Sequence, residues 1–270
     1  MEQMKIFKNK QFLVNEISGS KRLSFVPTMG GLHNGHKHII KKAIKYSKKV
    51  LVSIYVNPKQ FESRNDFNRY PRNVQKDLNF LKKLKVDYVY LPNKKDVFSF
   101  KAKNRIHKNS FARKLCGKTR KAHFQGVINV VNRFLEIIKP MYIFLGKKDF
   151  QQLNLIKMHI KRNKITTIVV PCKTIREKSG LAYSSRNNNL SKNEKITSCK
   201  VYKCLLKEKK IINQRKNFIL NLNIIKKKIK QLGVKKIDYI DCLNLLTLKR
   251  PKNRKQKFNI FIAYYLGKTR

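Results

Sequence analysis

The amino-acid sequence predicts an α/β fold: a parallel sheet with helices on both faces, followed by a smaller α+β C-terminal domain. Short apolar runs rich in β-branched and aromatic residues, typical of buried strands, alternate with helix-length segments whose apolar residues recur at spacings of three and four. Such alternation implies βαβ units and therefore parallel strands. With 270 residues, 41% of them hydrophobic, the chain is long enough for a substantial core.

The predicted elements alternate along the first two thirds of the chain. The predicted strands are residues 23–26, 50–56, 86–91, 141–145 and 165–170. The predicted helices are residues 34–48, 73–85, 124–138 and 150–162. In sheets of this kind ligands bind beyond the carboxyl ends of the strands, so the residues directly after each strand are the candidates for function.

The pattern changes near residue 174. A polar loop is followed by a lysine-rich helical stretch to about residue 232 and by strand-like segments at residues 237–240 and 258–265. We therefore predict a first domain of residues 1–173 and a smaller α+β domain of residues 174–270.

The net charge is strongly positive, since 65 Lys and Arg against 14 Asp and Glu give +51. A polyanion such as nucleic acid is one explanation. However, the excess is mostly lysine, is spread along the chain and comes with many Asn, Ile, Phe and Tyr residues, as AT-rich codons supply. We favour this origin and expect no specific nucleic-acid partner, although the charge would still steer anionic substrates to the protein.

The cysteines and the N-terminus indicate a cytoplasmic location. The five cysteines form no CxxC pair or zinc-type spacing, and their odd number suggests reduced thiols. The N-terminal sequence MEQMKIFKNK has no apolar signal region, and no segment approaches the ~20 apolar residues that span a bilayer. We expect no membrane partner.

A glycine-containing stretch, VPTMGGLHNGH, follows the first predicted strand and leads into a helix with Asn34 as its predicted N-cap. Glycines let a phosphate approach closely, and the free N–H groups of a helix start attract anions. His33 and His36 face the same side of the first turn, so both can bind one phosphate chain and stabilise charge on a leaving pyrophosphate. The surrounding strand, glycines and helix start argue against two unrelated surface histidines.

Two further loops after strands carry candidate residues. Asn57 and Gln60 follow the second strand, and neutral amides suit a small substrate with hydroxyls and one carboxylate better than a phosphorylated one. The segment GKKDFQQ, residues 146–152, follows the fourth strand. Its lysines can bind phosphate, and Asp149 can hold a ribose hydroxyl or a magnesium-bound water. GKKD also occurs by chance on lysine-rich surfaces, so its position after a strand is what supports this interpretation.

The segment SSRN, residues 184–187, precedes a helix predicted to start near Ser191. Its hydroxyls and guanidinium could close over a triphosphate and follow charge onto the leaving group. An ordinary helix-capping turn explains the same residues equally well.

Taken together, these stretches resemble pantothenate synthetases (pantoate–β-alanine ligases), a family of the nucleotidyltransferase superfamily marked by an HxGH sequence. The resemblance extends from about residue 22 to the end. It runs through VPTMGGLHNGH, VSIYVNPKQF, DFNRYPR, LCGKTRKAHFQGV, FLGKKDFQQL, IREKSGLAYSSRN and YYLGKTR. Several motifs in one order are specific, whereas HxGH alone is not.

The resemblance implies a Rossmann-like ATP- and pantoate-binding domain, a C-terminal lid domain and usually a homodimer. It implies a two-step reaction with ATP as co-substrate and Mg²⁺. The carboxylate of pantoate attacks the α-phosphorus of ATP, giving pantoyl adenylate and pyrophosphate. The amine of β-alanine then displaces AMP and leaves pantothenate, a precursor of coenzyme A.

The resemblance also implies roles for single residues, with His33 and His36 against the phosphates and His36 as the proton donor. The implied ATP-binding residues are Met29, Gly30, Gly31, Leu32, His33, Asn34, Gly35, His36, Gly146, Lys147, Lys148, Asp149, Ile175, Tyr183, Ser184, Ser185 and Arg186. The implied pantoate and β-alanine residues are Gln60, Gln152, Asn57, Arg120 and His123. The chain departs from the family at Asn34 and Lys147, where glutamate is common, and at Tyr183, where Met or Leu is common.

Three other functions are weaker interpretations. An adenylyltransferase acting on a phosphorylated acceptor should carry basic residues where this chain has Asn57, Gln60 and Gln152. A class I aminoacyl-tRNA synthetase needs a KMSKS-type loop and tRNA-binding domains, which the sequence lacks. A nucleic-acid-binding module could use basic runs such as KKK at residues 226–228, but no RNA- or DNA-binding motif accompanies them.

Overall fold

The structure is a computed structural model that describes residues 3–20, 22–214, 221–253 and 255–270. The chain divides into two compact units. The first comprises Met1–Asn109 and Arg120–Ile175, and the second comprises Ser110–Thr119 and Arg176–Arg270. The predicted domains, residues 1–173 and 174–270, are continuous segments, and their assignment as a substrate-binding domain and a lid stays a prediction.

The first unit is built on a six-stranded parallel sheet in the order β1-β4-β3-β2-β5-β6. The strands are β1 Lys5–Phe7, β2 Leu23–Thr28, β3 Lys49–Ile54, β4 Tyr88–Tyr90, β5 Tyr142–Gly146 and β6 Ile168–Cys172. The predicted parallel sheet is therefore confirmed, and β1 is a strand that the sequence pattern did not predict. The last strand begins three residues later than the predicted segment 165–170.

Seven α-helices of the first unit connect these strands. They are α1 Lys10–Ile17, α2 Asn34–Tyr46, α3 Arg64–Asn68, α4 Val74–Lys83, α5 Lys94–Phe98, α6 His123–Ile138 and α7 Phe150–Arg162. The four predicted helices correspond to α2, α4, α6 and α7. Short 3-10 turns, Pro58–Gln60 and Lys147–Asp149, follow β3 and β5.

Two apolar cores lie on the two faces of the sheet because successive side chains of a strand point in opposite directions. Phe25 of β2 belongs to one core, which also contains residues of α1, α5, α6 and α7. The next residue, Val26, belongs to the other core, with residues of α2 and α4. Both faces of every central strand are buried, which is the pattern expected of a parallel sheet covered by helices.

The second unit is a small α+β arrangement with α8 Lys192–Gln214, α9 Leu222–Gln231 and the antiparallel strands β7 Lys236–Asn244 and β8 Phe258–Tyr265. Part of the predicted lysine-rich helical stretch, residues 215–220, lies outside the described residues. The stretch Ser110–Thr119 packs on β7, where the Sγ atom of Cys116 lies 3.2 Å from the hydroxyl of Tyr239. All five cysteines are unpaired. Among the described residues no helix combines the length and apolar character needed to cross a membrane.

A buried polar network joins α6 and α7 of the first unit to the segment that follows α5. The fully buried Asn132 donates from Nδ2 to Glu136 (3.0 Å), and its Oδ1 accepts from Asn104 (3.1 Å) and from Nε2 of His159 (2.8 Å). Glu136 also accepts from the backbone N–H of Asn104 (2.9 Å). One buried amide therefore bonds to the buried His159 and to the half-buried Asn104 and Glu136 at once.

We predict that Asn132→Ala lowers the free energy of unfolding by about 3 kcal/mol, because it removes three hydrogen bonds and leaves Nε2 of the buried His159 without its acceptor. Urea denaturation measures the change. The matched control is Asn154→Ala on α7, whose side chain makes a bond to the carbonyl of Phe150 within its own helix (2.8 Å). Equal and small losses in both variants would contradict the role given to Asn132.

Candidate active site

The candidate site lies at the carboxyl ends of β2, β3 and β5, which are neighbours in the sheet. The connection from β2 leads to β3 on one side, while β5 lies on the other side of β2. Loops that leave neighbouring strands in opposite directions open a crevice between them. Ligands of open α/β sheets bind in such a crevice, at the point where the strand order reverses. The three predicted loops therefore start from one edge of the sheet.

The histidine loop, residues 29–36, needs its two glycines for its backbone shape. Gly30 and Gly31 have φ angles of +76° and +62°, in the left-handed region that other residues adopt at a cost. A Cβ atom on Gly30 would also lie 2.7 Å from Oδ2 of Asp77. Both conformation and space therefore require glycine at position 30.

The buried carboxylate of Asp77 holds this loop from beneath. Its Oδ2 accepts from the N–H of Gly31 (2.9 Å), and its Oδ1 accepts from the N–H of Leu32 (2.8 Å). The N–H of Gly30 donates to the hydroxyl of Thr28 (3.3 Å). The N–H groups of Gly30, Gly31 and Leu32 thus donate to side chains of the protein, whereas phosphate binding by the N–H groups of the helix start stays a prediction.

The two histidines cap the start of α2. His33, and not the predicted Asn34, is the N-cap. The N–H of Gly35 donates to Nδ1 of His33 (3.1 Å), and the N–H of His33 donates to Nδ1 of His36 (3.3 Å). The ring centroids are 4.1 Å apart. Since a backbone N–H can only donate, both Nδ1 atoms must accept, and each neutral ring carries its proton on Nε2.

Both imidazoles are neutral at physiological pH. Burial, followed by the charge of Lys148, lowers the pKa of His33 to about 4. Burial, followed by the neighbouring His33 and by Lys148, lowers the pKa of His36 to about 3. The charge of Lys148 thus acts on both rings, which indicates that the loop after β5 faces the histidine loop. The pair offers two N–H donors without a positive charge of its own.

The amide turn, residues 57–60, follows β3 and packs against α6. Asn57 is buried and donates from Nδ2 to the carbonyl of Gly126 (3.1 Å), while its Oδ1 accepts from the N–H of Lys59 (3.3 Å). The buried Gln60 donates from Nε2 to the sulfur of Met29 in the histidine loop. The predicted substrate amide and the predicted ATP loop are therefore in contact.

Arg120 and His123 also lie at the amide turn, but their contacts are to its backbone. Nδ1 of His123 lies 2.6 Å and Nη2 of Arg120 lies 3.2 Å from the carbonyl oxygen of Gln60. Nη1 of Arg120 lies 3.2 Å from Nε2 of His123. The guanidinium can only donate, so Nε2 of His123 accepts and Nδ1–H donates to Gln60. The structure thus brings together all four predicted residues Asn57, Gln60, Arg120 and His123.

The loop after β5 supplies charge at the same edge of the sheet. Lys147, Lys148 and Asp149 are exposed in a 3-10 turn directly before α7, and Gln152 is half-buried on the first turn of that helix. A Cβ atom at Gly146 would lie 3.7 Å from Ile39 of α2, an ordinary contact, so no steric need for glycine exists there. Ile175 is the last residue of the first unit and follows β6.

The remaining predicted residues, Tyr183, Ser184, Ser185 and Arg186, belong to the second unit and are all half-buried. The hydroxyl of Ser184 accepts from the N–H of Arg186 (3.3 Å) and caps the 3-10 helix Ser185–Asn189. Ser184 therefore caps a short turn within the segment, while Ser191 bonds to Glu194 at the start of α8, and a role of the segment at the triphosphate stays a prediction.

Among the described residues no group of three or more His, Cys, Asp or Glu side chains is placed to hold a metal ion. Both carboxylate oxygens of Asp77 accept backbone N–H groups. A magnesium ion that enters with ATP would therefore take most of its ligands from phosphate oxygens and water.

The sequence analysis missed two residues that shape the site, Asp77 and Gly126. Asp77 and the buried Leu81 are four positions apart, so the carboxylate lies on the apolar face of α4. A charged residue on the buried face of a helix was the available signal. Gly126 lies inside α6, where glycine lowers helix stability. A glycine kept at such a position indicates that a neighbouring part of the chain needs the space of a side chain, and this was the available signal.

Comparisons with known proteins agree with this geometry. The sequence model of a family described as pantoate-beta-alanine ligase matches residues 3–270. A pantothenate synthetase from Thermosipho melanesiensis is 36% identical over 271 residues, covering 100% of this chain and 97% of the relative. One from Francisella tularensis subsp. novicida is 40% identical over 257 residues, covering 95% of this chain and 90% of the relative.

Solved structures are similar over nearly the whole chain. The pantoate-beta-alanine ligase of Francisella tularensis, complexed with beta-gamma ATP and beta-alanine, superposes with a TM-score of 0.81 at 38% identity, covering 98% of this chain and 95% of that one. The pantothenate synthetase of Thermus thermophilus gives a TM-score of 0.83 at 26% identity, covering 96% and 99%. The chain therefore belongs to the pantoate-beta-alanine ligase family.

Proposed function

We propose that the crevice at β2, β3 and β5 condenses (R)-pantoate with β-alanine at the expense of ATP. The reaction passes through pantoyl adenylate and releases pyrophosphate and AMP. The observation that carries the proposal is the contact between the histidine loop and the amide turn, which brings two N–H donors for phosphate beside two amides for a small hydroxy acid. The solved relative that holds an ATP analogue and β-alanine supports it.

The histidines act on the phosphates in this proposal. The Nε2–H groups of His33 and His36 donate to oxygens of the β- and γ-phosphates, where negative charge develops as pyrophosphate leaves. Because both rings are neutral in the free protein, they impose no charge on the site before ATP binds. A proton taken up at Nδ1 of His36 would displace the N–H of His33 from that atom, so His36 acts in this proposal as a neutral Nε2–H donor to the leaving pyrophosphate.

The amide turn recognises the acceptor. Gln60 exchanges its contact with the sulfur of Met29, a weak acceptor, for the carboxylate and hydroxyls of pantoate and later for β-alanine. Gln152, on α7, completes the pantoate pocket. Neutral amides place no strong cation against the carboxylate, which must remain nucleophilic toward the α-phosphorus. This feature also disfavours a phosphorylated acceptor.

The residues after β5 and in the second unit hold ATP. We assign Gly146, Lys147, Lys148 and Asp149 to the nucleotide and its phosphates, and the backbone of Ile175 to the adenine. Tyr183, Ser184, Ser185 and Arg186 complete the binding of the triphosphate. Mg²⁺ arrives as part of MgATP and the active form is a homodimer, as the family resemblance implies, and the cysteine pattern favours the cytoplasm.

The first experiment is to measure pyrophosphate and AMP release from the purified protein given MgATP and pantoate. We expect pyrophosphate to depend on pantoate, whereas AMP and pantothenate accumulate only after β-alanine is added. Thermal unfolding of the same sample establishes that it is folded. Absence of both products from a folded sample would refute the proposed reaction.

We predict that His36→Ala slows pantoate-dependent pyrophosphate formation by at least about 100-fold, because a donor to the developing charge is lost. Gln60→Ala should instead raise KM for pantoate by about tenfold or more, the cost of one or two hydrogen bonds. The matched control is His38→Ala, a second histidine on α2. Near-normal kinetics in both site variants would mean that the pocket is misassigned.

We predict that the free energy of unfolding falls as the pH is lowered from 6.5 to 5, because His36 stays neutral in the folded protein. The unfolded chain takes up a proton at the ordinary pKa of 6.5, whereas the folded pKa is about 3, so protons favour unfolding throughout this interval. The wild type should lose about 2 kcal/mol more than His36→Gln between these pH values. Urea denaturation at both pH values measures it, and parallel losses in the two proteins would contradict a neutral His36.

A further inference from the structure

The first turn of α6 and Arg120, three residues before it, contact the amide turn at three points. Asn57 donates to the carbonyl of Gly126, and the carbonyl of Gln60 accepts from both His123 and Arg120. Arg120 also forms an ion pair with Glu62 just beyond the turn, with Nε 3.7 Å from Oε1. Both ends of the amide turn are therefore fixed to the same short stretch of chain.

Gly126 permits this contact because it has no side chain. A Cβ atom there would lie 2.5 Å from the carbonyl oxygen of Lys59, 2.8 Å from its carbonyl carbon and 3.1 Å from the N–H nitrogen of Gln60. All three neighbours are backbone atoms, which cannot rotate away as a flexible side chain could. Any larger residue must push the amide turn away from α6.

His123 is held in one tautomer by this arrangement. Arg120 donates to Nε2, which leaves the proton on Nδ1, and that proton is donated to Gln60 (2.6 Å). Both ring nitrogens are thus used within the protein. The contacts of His123 are those of a residue that orients another residue.

We propose that Arg120, His123 and Gly126, here called the α6 anchor, are positioning residues that set the affinity for the acceptor by fixing the backbone of Gln60. The inference rests on the proposed function, in which the side chain of Gln60 binds pantoate and β-alanine. It changes the role implied for Arg120 and His123, from contacting pantoate to holding the residue that contacts it. It adds Gly126, for which no role was expected.

The proposal predicts an effect on the acceptor and not on ATP. A displacement of Gln60 of about 1 Å misplaces one substrate, so Gly126→Ala and His123→Ala should each raise KM for pantoate about tenfold or more. The affinity for a non-hydrolysable ATP analogue, measured by calorimetry, should stay within about twofold, because the histidine loop is held separately by Asp77.

A conservative variant separates positioning from direct contact. The amide nitrogen of Asn can take the place of Nδ1 of His123, so His123→Asn should recover most of the affinity for pantoate that His123→Ala loses. If the ring itself touched substrate, Asn would be as impaired as Ala, and that result would overturn the proposal. Ile137→Val is the control for stability, since Ile137 is buried on α6 roughly 16 Å further along the helix axis.

A second measurement does not depend on activity. Hydrogen exchange of peptides that cover residues 57–60 should be at least about tenfold faster in Gly126→Ala and His123→Ala than in Ile137→Val. Unchanged exchange together with unchanged KM for pantoate would overturn the proposal while the proposed reaction stands. A folded wild-type protein that releases no pyrophosphate refutes the proposed reaction instead, and with it the role in acceptor affinity. If Gly126→Ala fails to fold, the His123 pair gives the same comparison.

Discussion

The carboxylate of Asp77 is the interaction on which the geometry of the candidate site depends. It binds two successive N–H groups of the histidine loop and thereby fixes the turn between β2 and α2. That turn places His33 at the N-cap position, and His33 in turn fixes the ring of His36. The chain has only 14 acidic residues against 65 basic ones, and one of these acidic residues, Asp77, is buried under this loop. The cost of burying the charge is offset by charge-assisted hydrogen bonds to the backbone.

Positive charge and neutral imidazoles have separate parts in this site. In the proposed function the exposed Lys147 and Lys148 attract the anionic nucleotide, whereas the histidines, close to Lys148, stay unprotonated. A site with two additional charged imidazoles would bind any polyphosphate tightly, including the pyrophosphate product. In the proposed reaction, neutral donors instead act through hydrogen bonds that strengthen as charge develops on the leaving pyrophosphate.

The sequence predicted the central strands and the four long helices because their periodicity is set by burial on two faces of the sheet. It missed β1 and α1, since Lys5–Phe7 is a short edge strand with exposed residues and Lys10–Ile17 buries only Leu13 and Ile17. The residues at strand ends were found from position alone. Asp77 and Gly126 were not, because each acts through a contact with a residue more than 40 positions away, and one sequence does not reveal such pairs.

The stretch Ser110–Thr119 has a consequence for how the chain is made. Its buried residues Phe111 and Leu115 belong to the second unit, yet residues of the first unit precede and follow them. The turn Leu115–Lys118 contacts β7, which is synthesised more than 100 residues later. A nascent chain that has just completed β6 therefore carries an apolar segment whose binding surface does not yet exist. Each unit is compact, but their residues are interleaved along the chain, so neither can be produced intact by cutting the gene at one point.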